Sequence, residues 1–153
     1  MKRLAIKYLY PFAKLYWFLI RPKTFGVKII IQNGGDILMV RHTYGNGGWT
    51  FPGGGIKRGE IPEDAARREV FEELGTVIKN TKSFGSLQTT DEYKRDTICC
   101  FSVLVESRSF TTQKEEIAEA KWFPQENILN NIRPESNSKK ILELWQKRVS
   151  IHP

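Results

Sequence analysis

Residues 53–76, which read GGGIKRGEIPEDAARREVFEELGT, constrain the fold of this chain more than any other segment. Pro62 is favourable in the first turn of a helix, and the acids at the next two positions favour its positively polarised N-terminal end. Gly75 is the kind of residue that commonly ends a helix. The segment therefore predicts a glycine-rich loop followed by a helix over residues 62–74.

The glutamates of this helix are expected to lie along one flank of it. At about 100° per residue, the helix has an apolar stripe about 80° wide, formed by Ala66, Val70 and Leu74. Glu73 falls about 20° beside that stripe, Glu69 about 60° away and Glu72 about 120° away. Three carboxylates therefore share one flank, and Glu73 lies at the edge of the buried face.

Carboxylates placed in this way repel one another unless a cation lies between them. Glu69 and Glu73 are four residues apart, a spacing at which like charges cost a few tenths of a kcal/mol, roughly, on an exposed helix. Burial adds a desolvation cost. Mg²⁺ prefers oxygen ligands and is commonly shared between carboxylates and substrate phosphates. A solvated acidic helix face is the alternative interpretation, since glutamate pairs are common on helices.

Neighbouring residues favour the interpretation as a metal site over that of a solvated acidic helix face. The glycines let the backbone approach a cation closely and offer it a carbonyl oxygen. Arg68 lies four residues before Glu72, which is the spacing of a helical ion pair. Glu60 precedes the helix and can reach back towards the same site. Together these residues predict metal-assisted hydrolysis, in which the metal polarises phosphoryl oxygens and lowers the pKa of an attacking water.

The spacing of these residues resembles the Nudix box. Five residues separate Gly54 from Glu60, seven more separate Glu60 from Arg68, and residues 69–75 read EVFEELG. Thr76 departs from the pattern, which has an aliphatic residue there, but the position is not a ligand. The resemblance extends over residues 26–145 and includes Trp49 with the following FPGG and the acids and aromatics of residues 116–123.

The resemblance implies roles for individual residues. Glu69 and Glu73 would be metal ligands, Glu72 a further ligand directly or through water, and the Gly54 carbonyl an additional one. Arg68 would orient a glutamate, and Glu60 would support the loop. The metal would be Mg²⁺, with Mn²⁺ as a substitute.

The general base varies within the family, and three choices stay open here. Glu69 and Glu72 are two candidates. The third is an acid of the segment at residues 115–117, either Glu115 or Glu116, and Glu116 represents it in the catalytic set. These three residues and Arg68 form the predicted catalytic set.

The remaining chain predicts a mixed β-sheet. A β-branched run over residues 27–32, a turn at residues 33–36 and a return strand over residues 37–41 form a hairpin. Further strands are expected over residues 83–89, 97–106 and 118–123, and an amphipathic helix over residues 136–148. The resemblance implies an α/β/α sandwich over residues 23–153. Residues 1–22 predict a separate helical arm.

The expected substrate is a small phosphorylated molecule, a nucleoside diphosphate linked to another moiety. A nucleoside triphosphate, a dinucleoside polyphosphate and a nucleotide sugar all fit that description. Trp49, Tyr93 and Arg41 are candidate substrate contacts. The alternatives are a membrane-proximal lipid or prenyl diphosphate hydrolase and a non-catalytic nucleotide-binding module of the same fold.

The net charge of +7 is located at the beginning of the chain. Residues 1–35 contain seven basic residues and no acid, whereas the other residues contain seventeen of each sign. A basic nucleic-acid-binding surface spread over the domain is therefore excluded. The aromatic and basic residues 1–22 fit contact with an anionic membrane surface, or packing on the domain or in a homodimer.

Two adjacent cysteines, Cys99 and Cys100, point to a reducing environment. Neighbouring residues of a strand face opposite sides, so a bridge between them is not expected. The sequence predicts a cytoplasmic protein, with peripheral membrane contact through the arm as the open alternative.

Overall fold

The computed structural model describes residues 9, 12, 15, 16, 18, 19, 23–45, 47–90, 95–132 and 136–151. The strands are β1 (Lys23–Asn33), β2 (Asp36–His42), β3 (Trp49–Thr50), β4 (Lys82–Thr89), β5 (Arg95–Leu104) and β6 (Ile117–Pro124). The helices are α1 (Pro62–Leu74) and α2 (Asn137–Ile151), with a 3-10 helix at Gln125–Asn130. The residues described before position 20 are helical.

The strands form one mixed sheet. Its order is β3-β2-β1-β5-β4, and β6 pairs with β2. β1 and β5 run parallel from the pair Lys23↔Arg95 onwards, whereas the other strand pairs are antiparallel. The predicted mixed sheet is confirmed.

Helices α1 and α2 cover opposite faces of this sheet. Successive side chains of a strand alternate between faces, so Ile29 of β1 packs with Val70 of α1 in one core. Its neighbour Ile30 packs with Leu142 of α2 in the other core. Each such buried side chain contributes about 1.5–3 kcal/mol. The predicted α/β/α sandwich is confirmed.

The bounds of α1 agree with those predicted from its terminal residues. Pro62 occupies the first turn, where its missing N–H is not needed. Gly75 adopts a left-handed conformation with φ 61°, and its N–H donates to the Phe71 carbonyl at 2.9 Å. Glycine accepts this conformation without steric cost, so the helix ends there.

Other boundaries differ from the sequence prediction by a few residues. β1 begins at Lys23 rather than at Val27, because its parallel pairing with β5 begins there. The 3-10 helix at Gln125–Asn130 was not predicted. The two cysteines face opposite cores, as expected: Cys99 packs on the α1 side and Cys100 on the α2 side.

Two predictions fall wholly or partly on residues that the structure does not describe. Tyr93 lies outside the described residues, as does most of the arm at residues 1–22. Within the part of the chain that is described, none of the helices combines the length and apolar character that crossing a membrane requires.

Candidate active site

The glycine loop before α1 is pinned to β1 by backbone hydrogen bonds. The Val27 N–H donates to the Gly54 carbonyl at 2.9 Å, and the Ile29 N–H donates to the Pro52 carbonyl at 3.0 Å. Gly53 has φ 133°, and a Cβ atom there would lie 2.2 Å from the Val27 carbonyl oxygen. Any side chain at this position would force the loop away from the strand.

Glu73 is the most buried acid of the predicted site. It is 3% exposed, and its Oε2 accepts the Gly53 N–H at 3.1 Å. Burial raises the pKa of Glu73 to about 7, although Lys28 and the Gly53 N–H act in the opposite direction. The helix therefore carries at its buried edge a carboxylate that the surrounding protein only partly compensates.

Glu69 lies directly against the glycine loop. A Cβ atom on Gly54 would be 2.5 Å from Glu69 Oε2, so no side chain can occupy this position while Glu69 keeps its place. The Glu69 side chain is 13% exposed. The absence of a side chain at Gly54 thus lets the Glu69 carboxylate lie against the backbone of the glycine loop.

Arg68 organises the acids around it. Its guanidinium donates to both oxygens of Glu60, at 2.7 and 2.8 Å, and to Glu69 Oε1 at 2.6 Å. It also reaches Glu72 Oε2 at 3.2 Å and the Gly55 carbonyl at 2.9 Å. The hydrogen bond to Arg68 lowers the pKa of Glu60 to about 2, and the same bond raises the pKa of Arg68.

Lys28 is a functional candidate that the sequence reasoning missed. It lies on β1, and its Nζ donates to the Phe51 carbonyl at 2.8 Å and to the Gly53 carbonyl at 3.2 Å. Burial lowers the pKa of Lys28, while the charges of Glu73 and Glu69 oppose that shift. A lone lysine within an otherwise apolar run, KIIIQ after Val27, was the available signal.

His42 extends the buried polar cluster on the other side of Glu73. Its Nε2 lies 3.9 Å from Glu73 Oε1, and its ring stacks on Tyr44 with centroids 5.1 Å apart. Burial and then the charge of Lys28 lower the pKa of His42 to about 4. His42 is therefore neutral near pH 7 and gives Glu73 no ionic partner there.

The chemistry of the site fits a hard divalent cation. The potential ligands are all oxygen atoms, from the carboxylates of Glu69, Glu72 and Glu73 and the carbonyl of Gly54, and such ligands suit Mg²⁺. Among the described residues, no three His, Cys, Asp or Glu side chains converge closely enough to hold an ion. Arg68 holds Glu69 and Glu72, and the Gly53 N–H holds Glu73, so these carboxylates would have to turn from those partners.

The predicted substrate residues Arg41 and Trp49 lie together at one end of the sheet. They are register partners on β2 and β3, and the Arg41 guanidinium lies 5.5 Å from the centroid of the Trp49 ring. Arg41 also pairs with Glu119 at 2.6 Å. Trp49 packs edge-on against Phe123, with centroids 4.9 Å apart. The two residues are thus already held by neighbours.

Glu116, the third candidate base, lies just before β6. Its carbonyl accepts the Thr43 N–H at 2.9 Å, which joins the end of β2 to this segment. The charge of Glu116 is among the causes that raise the pKa of Glu73. The fold therefore brings Glu116 towards the site from a distant part of the sequence.

Solved structures first place this architecture within a fold class. The NUDIX domain of Shewanella oneidensis NrtR, solved with ADP ribose, matches with a TM-score of 0.73 at 18% identity, over 83% of this chain and 88% of that one. At this level of identity the similarity shows a shared fold.

The family follows from the sequence itself. The model of the NUDIX domain matches residues 21–145, and this chain belongs to the NUDIX family. It is 38% identical over 101 residues to an NAD-capped RNA hydrolase of Mannheimia succiniciproducens, which covers 62% of this chain and 37% of the relative. An RNA pyrophosphohydrolase of Proteus mirabilis is 42% identical over 66 residues, 43% of this chain and 37% of the relative.

The chain spans about two fifths of the length of the curated relatives that it matches. The predicted family is confirmed. The names of these relatives describe hydrolases, one of them a pyrophosphohydrolase, which is the class of activity that the sequence predicts for this chain. Nudix hydrolases generally use divalent metal ions, in keeping with the oxygen-only set of candidate ligands.

Proposed function

We propose that this chain is an Mg²⁺-dependent hydrolase that cleaves a pyrophosphate bond in a nucleoside diphosphate linked to another moiety. The observation that carries the proposal is the buried carboxylate of Glu73, held by a glycine-loop N–H beside Glu69 and Gly54. A buried carboxylate without a full ionic partner is costly, and a cation bound there would relieve that cost.

In this proposal Glu69, Glu72, Glu73 and the Gly54 carbonyl hold the metal, for which Mn²⁺ would substitute. When bound, the metal would polarise phosphoryl oxygens and lower the pKa of a water. Arg68 neutralises and orients the acids before the metal binds, and Glu60 fixes Arg68 by a two-point hydrogen bond. Glu69, Glu72 and Glu116 remain the candidates that accept the proton of the attacking water.

The family relatives define which substrates to compare. The proposed range includes nucleoside triphosphates, dinucleoside polyphosphates and nucleotide sugars. The names of the relatives add NAD-capped RNA and RNA that carries a pyrophosphate bond. Arg41 and Trp49 are proposed substrate contacts at one end of the sheet, since a guanidinium beside an aromatic ring suits a phosphorylated base.

A substrate panel tests the proposal. The protein is incubated with each of these compounds and with a prenyl diphosphate, with and without Mg²⁺, and the released phosphate or nucleotide is measured. We expect metal-dependent hydrolysis of at least one nucleotide and no hydrolysis in a chelator. Hydrolysis of the prenyl diphosphate alone would favour the lipid alternative. Binding without turnover of any compound would favour a non-catalytic nucleotide-binding module.

A second proposal concerns contact between the predicted N-terminal arm at residues 1–22 and an anionic membrane surface. The described residues of the arm are all apolar or aromatic and between 49% and 72% exposed: Leu9, Phe12, Leu15, Tyr16, Phe18 and Leu19. Five basic residues accompany them within residues 1–22 and no acid does. Apolar side chains combined with basic ones suit the interface of anionic lipids.

Co-sedimentation with vesicles tests this contact. We expect the full chain to sediment with vesicles that contain anionic lipid and to lose this behaviour on deletion of residues 1–22. Equal sedimentation of both forms would contradict membrane contact. A full chain that stays in solution as a homodimer, and becomes a monomer on the same deletion, would assign the arm to a subunit interface.

A further inference from the structure

A cavity of about 550 Å³ lies at the ends of three strands, beside the glycine loop. We call it the strand-end pocket, and the lining residues that matter are Lys23, Phe25, Gln88, Arg95, Thr97 and Lys140. It combines cations, an aromatic ring, a hydroxyl and an amide within one concave surface. None of these residues belongs to the predicted glutamate site.

The cations of the pocket face one another. Lys23 and Arg95 are register partners on parallel strands, so their side chains leave the sheet side by side, with the strands about 4.8 Å apart. Like charges in such pairs are destabilising. Within the described residues neither forms an ion pair. Asp96, the acid of the pocket, instead accepts a hydrogen bond from the Thr24 hydroxyl.

An aromatic ring lies in the next row of the same sheet face. Phe25 is 57% exposed. Its register partner on β5 is Thr97, and the partner of Thr97 on β4 is Gln88. An exposed aromatic side chain on a sheet, beside cations, is the arrangement on which nucleic-acid bases stack. The amide of Gln88 can both donate and accept hydrogen bonds with a base edge.

The pocket is connected to the candidate active site by backbone contacts. The Ile56 N–H donates to the Phe25 carbonyl at 2.9 Å, and Gly26 and Gly55 form a β-bridge. The Gly55 carbonyl in turn accepts from Arg68. Gly26 lies three positions along β1 from Lys23, which is about 10 Å. The first residues of β1 thus join the glycine loop to the pocket.

We propose that the strand-end pocket binds a second nucleotide unit of the substrate, with its base on Phe25 and its phosphate between Lys23 and Arg95. This location within the reaction rests on the proposed function, whereas binding itself does not require hydrolysis. The ligand chemistry is a nucleoside phosphate beyond the cleaved diphosphate. Such a unit is present both in a 5′-phosphorylated oligonucleotide and in a dinucleoside polyphosphate.

Calorimetric titration tests the proposal with two ligands that the protein does not cleave. One is a 5′-phosphorylated dinucleotide, which has no pyrophosphate bond. The other is a dinucleoside tetraphosphate with methylene bridges between its phosphorus atoms. The variants are Phe25→Leu, which removes the ring at similar volume, and Lys23→Gln combined with Arg95→Gln. Lys79→Gln combined with Lys147→Gln is the control, since it removes two exposed positive charges that do not line the pocket.

We expect Phe25→Leu to weaken binding of the dinucleotide by roughly 5- to 100-fold, the usual effect of losing one base stack. The Lys23 and Arg95 double variant should bind the dinucleotide about tenfold more weakly. The slope of the logarithm of its binding constant against the logarithm of the salt concentration should be smaller in magnitude by about 0.7 to 1. Its thermal stability should be unchanged or higher, because a repulsion is removed. The control should differ less than about twofold from wild type, since it changes long-range charge alone.

The results separate this proposal from the proposed function. If the pocket variants bind the tetraphosphate alone more weakly, the result would support the pocket and assign it to dinucleoside polyphosphates. If they bind the dinucleotide more weakly, the result would assign the pocket to an oligonucleotide. Loss of binding in the pocket variants, in a protein that hydrolyses no nucleotide, would support the pocket and contradict the proposed function. No binding of either ligand at millimolar concentration, or equal losses in pocket and control variants, would overturn the pocket.

Discussion

The glutamate site and the strand-end pocket lie side by side and have opposite electrostatics. Around α1, the acids are held by protein groups: Arg68 binds Glu60, Glu69 and Glu72, and a backbone N–H binds Glu73. In the pocket, Lys23 and Arg95 lie beside each other without such partners among the described residues. The first region is arranged before any ligand binds, whereas the described part of the chain supplies no anion to the cations of the second.

This difference indicates which region should affect the chemical step and which should affect the affinity for the substrate. Preorganised groups act on the reacting atoms without rearranging during the reaction, so losses there should reduce the chemical step. The cations of the pocket would gain their partner when an anionic ligand binds, so substitutions there should reduce affinity. The predictions that follow examine the first region, from the largest expected effect to the smallest.

Glu73→Gln should produce the largest effect. The substitution removes a charged metal ligand without adding bulk, and we expect kcat/KM to fall by about 1000-fold or more with the fold intact. Steady-state kinetics with the best substrate of the panel measure it. Glu143→Gln, an exposed acid on α2, is the control and should keep nearly full activity. Near-normal turnover of Glu73→Gln would refute the assigned site.

The pH dependence of stability should reveal the burial of Glu73. Its pKa is raised from 4.5 to about 7, so the folded protein keeps a proton that the unfolded chain releases. In a chelator, the contribution of Glu73 to the free energy of unfolding should therefore fall by up to about 3 kcal/mol as pH rises from about 4.5 to about 7.

The free energy of unfolding is measured with denaturant for wild type and for Glu73→Gln across that pH range. The quantity to follow is the difference between the two proteins at each pH. The difference matters because His42, with a pKa lowered to about 4, changes stability in the opposite direction between about pH 4 and 6.5. Parallel pH profiles for the two proteins would show that Glu73 titrates normally.

Arg68→Lys should reduce kcat by about 10- to 100-fold, because groups that orient metal ligands have effects of that size. Lysine keeps the charge but loses the planar fork that binds Glu60 at two points. Arg67→Lys is a matched control one residue earlier, where the arginine pairs with Glu63 and Asp64 and is 42% exposed. Equal losses in both variants would mean that Arg68 acts only on helix stability.

Lys28→Met should have the smallest effect, about a tenfold loss of kcat, since hydrogen bonds of a charged group contribute about 1.5–3 kcal/mol. It frees the Phe51 and Gly53 carbonyls and loosens the loop that holds Glu73. Lys28→Arg should recover part of the activity because it keeps a cationic donor there. A loss seen only in KM would place Lys28 at the substrate instead.

The grouping of the three glutamates could be predicted from the sequence because it is local. Gly54, Glu60, Arg68 and the glutamates lie within twenty residues of one another, and helical spacing put Glu69, Glu72 and Glu73 on one flank. Their role as metal ligands stays a prediction. The apolar stripe ending at Leu74 and the glycine after it predicted the bounds of α1 correctly. The β-branched run, the turn after it and the return strand predicted the hairpin, and the order of strands and helices predicted the mixed sheet.

The other groups depend on strand pairing that spacing does not reveal. Lys23 meets Arg95 only because β1 and β5 run parallel, and the two residues are seventy-two positions apart. In the sequence, Lys28 is one polar residue within a strand. Its hydrogen bond to the Phe51 carbonyl exists because the loop at Phe51 crosses β1 in the fold. Burial of His42 likewise depends on the segment before β6. Long-range register, rather than composition, decides all three.

Binding of Mn²⁺ tests the central claim most directly, because it asks whether α1 and the glycine loop hold a divalent cation. Titration followed by electron paramagnetic resonance would compare wild type with Glu69→Gln, Glu73→Gln and the control Glu143→Gln. We expect wild type and the control to bind Mn²⁺ in competition with Mg²⁺, and each site variant to bind at least about tenfold more weakly. Equal Mn²⁺ binding by all four proteins would contradict the assignment of the metal to these glutamates.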